Sequence, residues 1–179
     1  MVKTSTDSRR LDALLHRIAS GDREALEQLY SAAGAPIYGY ALSILHNRYD
    51  AEDVLQDCLV SVWNCAAGYR SQEKPMAWLL TITRNLCYKR LREQKHAAKL
   101  TDKEVLCADT TDPEQKLILE SCLELLNPQD QQILILHAVA GMKHRQIAAY
   151  LELPLATVLS KYRRAIRKIK DTYGKECSE

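Results

Sequence analysis

The chain has 179 residues, 46% hydrophobic and 27% charged, with a formal net charge of +2. That balance suits one medium or two small globular domains and excludes wholesale disorder. The apolar runs are short, "ILIL" at 133–136 among them, which excludes a bilayer-spanning helix. The N-terminal "MVKTSTDSRRLDALL" lacks the apolar centre of a signal peptide, so the expected compartment is the cytoplasm. Six Gly, five Pro and no Phe stand beside abundant Ala, Leu, Ile, Glu, Gln, Lys and Arg, a mixture that favours helix throughout.

Helical periodicity begins near Ser8, where Leu11, Leu14, Leu15 and Ile18 mark one face, and "SGD" at 20–22 stops it. Asp22 then reads as the N-cap of "REALEQLYSAAG", and Pro36 as the opening of a separate helix, "IYGYALSILHN". In "RYDAEDVLQDCLVSVWNCA" Asp50 is the expected N-cap, and Val54, Leu55, Cys58, Leu59 and Val62 form an apolar stripe. Residues 67–75, "AGYRSQEKP", read as a polar loop, followed by a long helix from Met76 that is apolar first and basic later. Residues 97–112 lose periodicity and gather Asp and Thr, which marks a linker. Four more helices are expected after it: "EQKLILESCLELL", "PQDQQILILHAVA", "KHRQIAAYLEL" and "LATVLSKYRRAIRKIK". They are separated at Asn127-Pro128, Gly141-Met142 and Leu153-Pro154. The expected fold is all-α, two small helical domains at 8–96 and 113–175 joined by the linker.

Charge is distributed unevenly. From 102 to 130 eight acids face Lys103 and Lys116, whereas from 142 to 175 nine bases face Glu152 and Asp171. The basic excess points to a polyanion partner for the C-terminal part. Residues 143–168 have the plan of a helix-turn-helix, with Ile147, Ala148 and Leu151 turned to the core before a corner at Glu152–Pro154. On the next helix Val158, Tyr162, Ala165, Ile166 and Ile169 share one face. Ser160, Arg163, Arg164, Arg167 and Lys168 share the other, with Lys161 at its edge. A recognition helix needs this division, one side holding its own domain and the other meeting phosphates and base edges. A merely solvated helix would interleave acids with these bases at i,i+4 spacing, and this one does not.

In the N-terminal part Asp53, Gln56 and Asp57 share an acidic surface. Arg84, Asn85, Tyr88, Lys89 and Arg92 put basic, amide and aromatic groups on adjoining turns, suited to a phosphate backbone and unpaired bases. Trp63 and Trp78 sit in apolar patterns and read as core, as do Cys58, Cys122 and His137. The six cysteines (58, 65, 87, 107, 122, 177) form no C-x-x-C pair and have no His at zinc-ligand spacing, so they are expected reduced and metal-free. There is no phosphate loop, no H-E-x-x-H and no nucleophile–base arrangement; no catalytic residue, metal, cofactor or small-molecule substrate is expected.

Three ordered segments resemble bacterial RNA polymerase sigma factors of the extracytoplasmic-function group. "LYSAAGAPIYGYALSILHNRYDAEDVLQDCLVSVW" resembles the start of their region two, above all in "AEDVLQD". "PMAWLLTITRNLCYKRLRE" resembles its end through Trp78, Leu79, Ile82, Arg84 and Asn85, and residues 126–169 resemble region four. The resemblance implies that Asp53, Leu55, Gln56 and Asp57 dock on the clamp coiled coil of the polymerase largest subunit. It implies that Arg84, Asn85, Tyr88, Lys89 and Arg92, with the 67–75 loop, face the melted minus-ten element of promoter DNA. Thr157, Ser160, Lys161 and Arg164 would face the minus-thirty-five element, and an anti-sigma factor is a further implied partner. There are departures: Leu159 and Lys161 replace two bases of the family pattern, and Glu152 and Ala156 replace two glycines. If Glu152 must adopt positive φ, the strain is on the order of 1 kcal/mol.

Rival readings fit less of the chain. A stand-alone repressor or activator using only the C-terminal helix pair leaves "AEDVLQD" unexplained, and a helical adaptor without DNA leaves the basic excess unexplained.

Overall fold

The computed structural model describes residues 4–71, 74–97, 121 and 123–173. The chain falls into two compact units that divide between Leu106 and Cys107. Among the described residues all regular structure is helical.

Among the described residues the first unit is a bundle of four helices: α1 (Thr4–Ala19), α2 (Arg23–Leu45), α3 (Arg48–Cys65) and α4 (Pro75–Ala97). The periodic leucines of α1 are all buried, together with Ile18. Gly21 ends α1 with a φ of 87°, a left-handed turn that glycine takes without strain. Asp22 caps α2 as expected, its side chain accepting from the Ala25 N–H.

Pro36 does not open a helix of its own. It lies inside α2, which runs unbroken past it. An interior proline withholds one N–H and costs about 3 kcal/mol in isolation. Here the carbonyl it deprives belongs to exposed Ala32, where water can serve it. The flanking Leu29, Ala33, Ile37 and Ala41 are fully buried, and burying such side chains stabilises by roughly 1.5–3 kcal/mol each for the larger ones. Packing therefore outweighs the local preference. At its end α2 stops on His46 in the left-handed region (φ 53°), whose N–H bonds to Leu42.

The next residue, Asn47, caps α3 by accepting from the Tyr49 and Asp50 N–H groups at 2.9 and 3.2 Å. The expected cap, Asp50, sits a turn too late for that and pairs with α4 instead. Cys58 is buried as expected, within 3.5 Å of the Thr83 hydroxyl; Cys58, Cys65 and Cys87 are free thiols, while Cys122 lies outside the described residues.

In the second unit, helical residues Leu123 and Glu124 precede α5 (Pro128–Leu134), a π-turn (Ile135–Val139), α6 (His144–Tyr150) and α7 (Leu155–Tyr173). The expected linker lies outside the described residues apart from Ala97, and the helix expected over 114–126 is described only at Ser121 and from Leu123. Asn127 caps α5 with Pro128 in the first turn. "PQDQQILILHAVA" is not one regular helix, because its second half widens into the π-turn. That widening brings the Met142 N–H back to Leu136 across Gly141, which has a φ of 68°.

Glu152, between α6 and α7, has a φ of 55°. This is the left-handed conformation expected where the family pattern carries glycine. α7 begins just after Pro154, whose carbonyl accepts the Val158 N–H. Val158 and Ala165 are fully buried, and Tyr162, Ile166 and Ile169 pack on Leu126 and Leu134. The apolar face of α7 is thus the one the sequence predicts.

Candidate functional site

Three helices each keep a polar face out of their unit's core. On α3, Gln56 and Asp57 are exposed, and one turn on Val60 is 60% exposed, an apolar residue offered to solvent. Asp53 is half-buried and ion-paired to Arg90 of α4, whose Nε also holds Asp50 at 2.9 Å. Gln94 completes the cluster by donating to Asp50 at 2.7 Å. The Asp50 bond raises the Arg90 pKa against the opposing effect of burial, and Asp53 adds to the rise. Leu55 does not join the acidic surface. At 5% exposed it faces the core with Val54 and Cys58, so it holds α3 from behind.

On α4 the structure brings the expected residues together. Asn85, Tyr88, Lys89 and Arg92 are exposed on adjoining turns. Arg84 is half-buried, with its guanidinium 5.5 Å from the Tyr88 ring centre. A cation over an aromatic face holds the ring's orientation. Tyr88, 46% exposed, thereby offers a flat surface bordered by positive charge, the arrangement that stacks an unpaired base beside its phosphate.

The 67–75 loop is not wholly open. It starts inside a short 3-10 turn, Ala66–Gly68. Tyr69 is buried, its ring 4.9 Å from Trp78 and its hydroxyl donating to Asp12 of α1. Ser71 donates to the other oxygen of the same carboxylate. Burial alone would raise the Asp12 pKa, but the Ser71 and Tyr69 bonds outweigh it and hold the carboxyl below its usual range. Burial, then the Asp12 partner, pushes the Tyr69 phenol up. Gln72 and Glu73 lie outside the described residues, so the tether is seen on the first part of the loop. Trp63 and Trp78 are both half-buried.

On α7, Ser160, Arg163, Arg164, Arg167 and Lys168 are exposed and Thr157 is half-buried. Lys161 departs from expectation. Its ammonium is 3.3 Å from Asp130 of α5 and its side chain is 19% exposed, so it is turned back onto its own unit. Arg164 also bonds Asp130, at 3.1 Å, yet keeps 61% of its side chain exposed. Beneath the helix pair, His137 donates from Nδ1 to the Met142 carbonyl and stacks on His144 at 3.9 Å, a packed histidine as expected. Burial and then His137 lower the His144 pKa.

Sequence reasoning alone does not single out Arg90, Asp130 or Asp12. Asp50 and Asp53, three apart with no base at the next helical spacing, signal a cation from another helix without identifying it. Among the described residues no group of three or more His, Cys, Asp or Glu is placed to hold a metal, and no helix is long and apolar enough to cross a membrane.

Family comparison matches these surfaces in order. The Sigma-70 region 2 model matches residues 29–97, taking in α3 and α4, and the Sigma-70 region 4 model matches residues 116–169, taking in the helix pair. Together they cover more than two thirds of the chain. It belongs to the sigma factors of the extracytoplasmic-function group. This sigma factor is 29% identical over 177 residues to the "ECF RNA polymerase sigma factor SigK" of Mycolicibacterium vanbaalenii, covering 92% of this chain and 89% of that one. Against the protein of the same name from Mycobacterium tuberculosis it is 25% identical over 172 residues, covering 90% and 92%. Its fold is similar to CnrH, solved with the cytosolic domain of CnrY, at a TM-score of 0.57 and 24% identity over 94% of this chain and 98% of that one. It is also similar to the sigma factor RpoE of Bartonella quintana, solved with the anti-sigma factor NepR, at 0.57 and 21% over 81% and 94%. The sigma factor thus binds core RNA polymerase and promoter DNA and directs promoter-specific initiation.

Proposed function

We propose how this sigma factor divides that work among its residues. Asp53, Gln56 and Asp57, with Val60 beside them and Leu55 behind, dock on the clamp coiled coil of the polymerase largest subunit. Arg84, Asn85, Tyr88, Lys89 and Arg92, with the 67–75 loop, take the melted minus-ten element. Thr157, Ser160 and Arg164 meet the minus-thirty-five element, and Lys161 stands behind them. The domains extend over 8–96 and 113–175, with 97–112 as linker. The observation that carries this reading is the sign of the three exposed faces: acidic on α3, basic on α4 and α7.

No covalent step is assigned to the protein, and it works in the cytoplasm. Unstacking a base costs a few kcal/mol, which its capture on the α4 face offsets. Attachment of both domains to one polymerase raises the effective concentration of each at its half of the promoter. Both solved relatives are complexes, one with the cytosolic domain of CnrY and one with an anti-sigma factor. A regulator of the same class, holding this sigma factor away from polymerase, is the corresponding partner here.

The test separates the surfaces. Asp57→Lys should weaken binding to purified core polymerase at least tenfold. Tyr88→Ala should leave that binding intact and weaken capture of a forked duplex with an unpaired minus-ten strand. Equal loss of both activities in both variants would refute the division.

A further inference from the structure

Asp130 lies under α7 rather than on it. It is 3% exposed, and its carboxylate accepts from three side chains: Asn127 at 2.9 Å, Lys161 at 3.3 Å and Arg164 at 3.1 Å. Its backbone is fixed as well, because its own N–H donates to the Asn127 side chain at 3.0 Å. A buried carboxylate anchored at the capped start of one helix therefore grips two cations of another.

The two cations are gripped differently. Lys161 has one charged group and spends it on Asp130. Arg164 uses Nε and Nη2, along one edge of its guanidinium. The five donors of an arginine are set in a rigid plane. Holding one edge therefore aims the other, Nη1 and the outer hydrogen of Nη2, away from Asp130 into solvent. A free arginine on a helix surface would sweep many rotamers, and holding it in one removes the ordering cost that base recognition would otherwise carry.

We propose that Asp130 is a specificity-determining positioning residue: it withdraws Lys161 from the DNA and presents Arg164 as a fixed two-donor fork to a base edge in the minus-thirty-five duplex. The proposal rests on the reading of α7 as the duplex-facing helix. It gives a physical meaning to Lys161, which stands where the family pattern has arginine: its cation is an internal strut. It also makes a prediction opposite to that of a plain structural ion pair. Removing the charge of Asp130 should reduce discrimination among sequences while increasing attraction for any sequence, because Lys161 becomes available to a phosphate.

The experiment uses the full chain bound to core polymerase. Duplexes with a randomised minus-thirty-five segment are selected by the wild-type holoenzyme, and binding to the best duplex, its single-base variants and an unrelated duplex is measured over a salt series. With Asp130→Asn, preference at one base pair should fall about tenfold, the discrimination a two-donor contact supplies. Binding to the unrelated duplex should strengthen, and the salt slope should steepen by about one, as one more cation meets phosphate. In an Arg164→Ala background Asp130→Asn should change base preference no further. Arg164→Lys, which keeps a cation beside Asp130, should flatten the same base pair because an ammonium has no fork.

Loss of affinity by one common factor for all duplexes in Asp130→Asn would overturn the proposal. Retention of the base preference by Arg164→Lys would also overturn it, and that arm decides the matter if Asp130→Asn does not fold. If Arg164→Ala selects the same sequences as wild type, the reading of α7 fails first. If Arg164→Ala flattens selection and a folded Asp130→Asn does not, only the role of Asp130 fails.

Discussion

Glu152 is a side-chain-bearing residue in a conformation that suits glycine, and replacing it should stabilise the DNA-binding unit. Its φ of 55° places Cβ against the following carbonyl oxygen, at a cost of about 1–2 kcal/mol. The corner is fixed from both sides: Leu151 donates to Ile147, Leu153 donates to Ala148, and Val158 donates to Pro154. The residue has no freedom to relax without breaking those bonds. Glu152→Gly removes the strain but gives the unfolded chain about 0.4–1 kcal/mol more conformational entropy to lose. The net gain should be about 0.7 kcal/mol. In hydrogen exchange at the amides of α6 and α7, that is about threefold slower exchange through global opening of the unit. The amides of α1–α4 are the internal reference and should not change. Glu152→Ala, which keeps Cβ, should exchange at the wild-type rate. If the glycine variant exchanges no more slowly than the alanine variant, the strain at this corner is not real.

Arg90→Met should destabilise the N-terminal unit by about 1 kcal/mol, a charged hydrogen-bond value discounted for partial exposure. Tryptophan fluorescence during urea unfolding follows that unit, since Trp63 and Trp78 both lie in it; an unchanged midpoint would show that Asp50 and Asp53 do not need Arg90. Asp12, whose folded pKa is lowered from 3.8, contributes stability present above that value and lost as pH falls through the folded one. Acid unfolding of Asp12→Asn should therefore lack a component that wild type shows below about pH 4, and identical acid limbs would contradict the Tyr69–Asp12–Ser71 tether. Burial pushes the Cys58 thiol up to about 11 and the Cys87 thiol up to about 12, whereas Cys65 is exposed. Of these three, peptide-resolved alkylation at about pH 8 should label Cys65 first, with Cys58 and Cys87 reacting only on denaturation; early labelling of Cys58 would contradict its packing.

The sequence discloses elements whose signals are local. The Asp22 cap, the turns at Gly21 and Gly141 and the two-faced α7 all follow from residue type and spacing. It misleads where tertiary packing overrides a local preference. Pro36 is a strong breaker, but the one bond it forgoes is outweighed by the burial of its neighbours. Asp50 has the right chemistry for a cap, and Asn47, three residues earlier, has it too; only the path of the chain decides between them. Leu55 fits both the apolar stripe and the docking surface on sequence grounds, and one side chain cannot serve both. Lys161 illustrates the deepest limit. Its place on the helical wheel is correct, but a long side chain goes where its counter-ion is, and Asp130 lies 31 residues away in sequence. Arg90 and Asp12 escape sequence reasoning on the same ground, since each finds its partners on other elements of the bundle.

Promoter-directed initiation can be measured by multi-promoter run-off transcription, with purified core polymerase, this sigma factor and a library of genomic fragments. Transcripts should start from a restricted set of fragments that share two spaced sequence elements, and core polymerase alone should not start them. Uniform or absent initiation across the library, with the protein folded and present in excess, would mean that the protein does not direct polymerase to promoters.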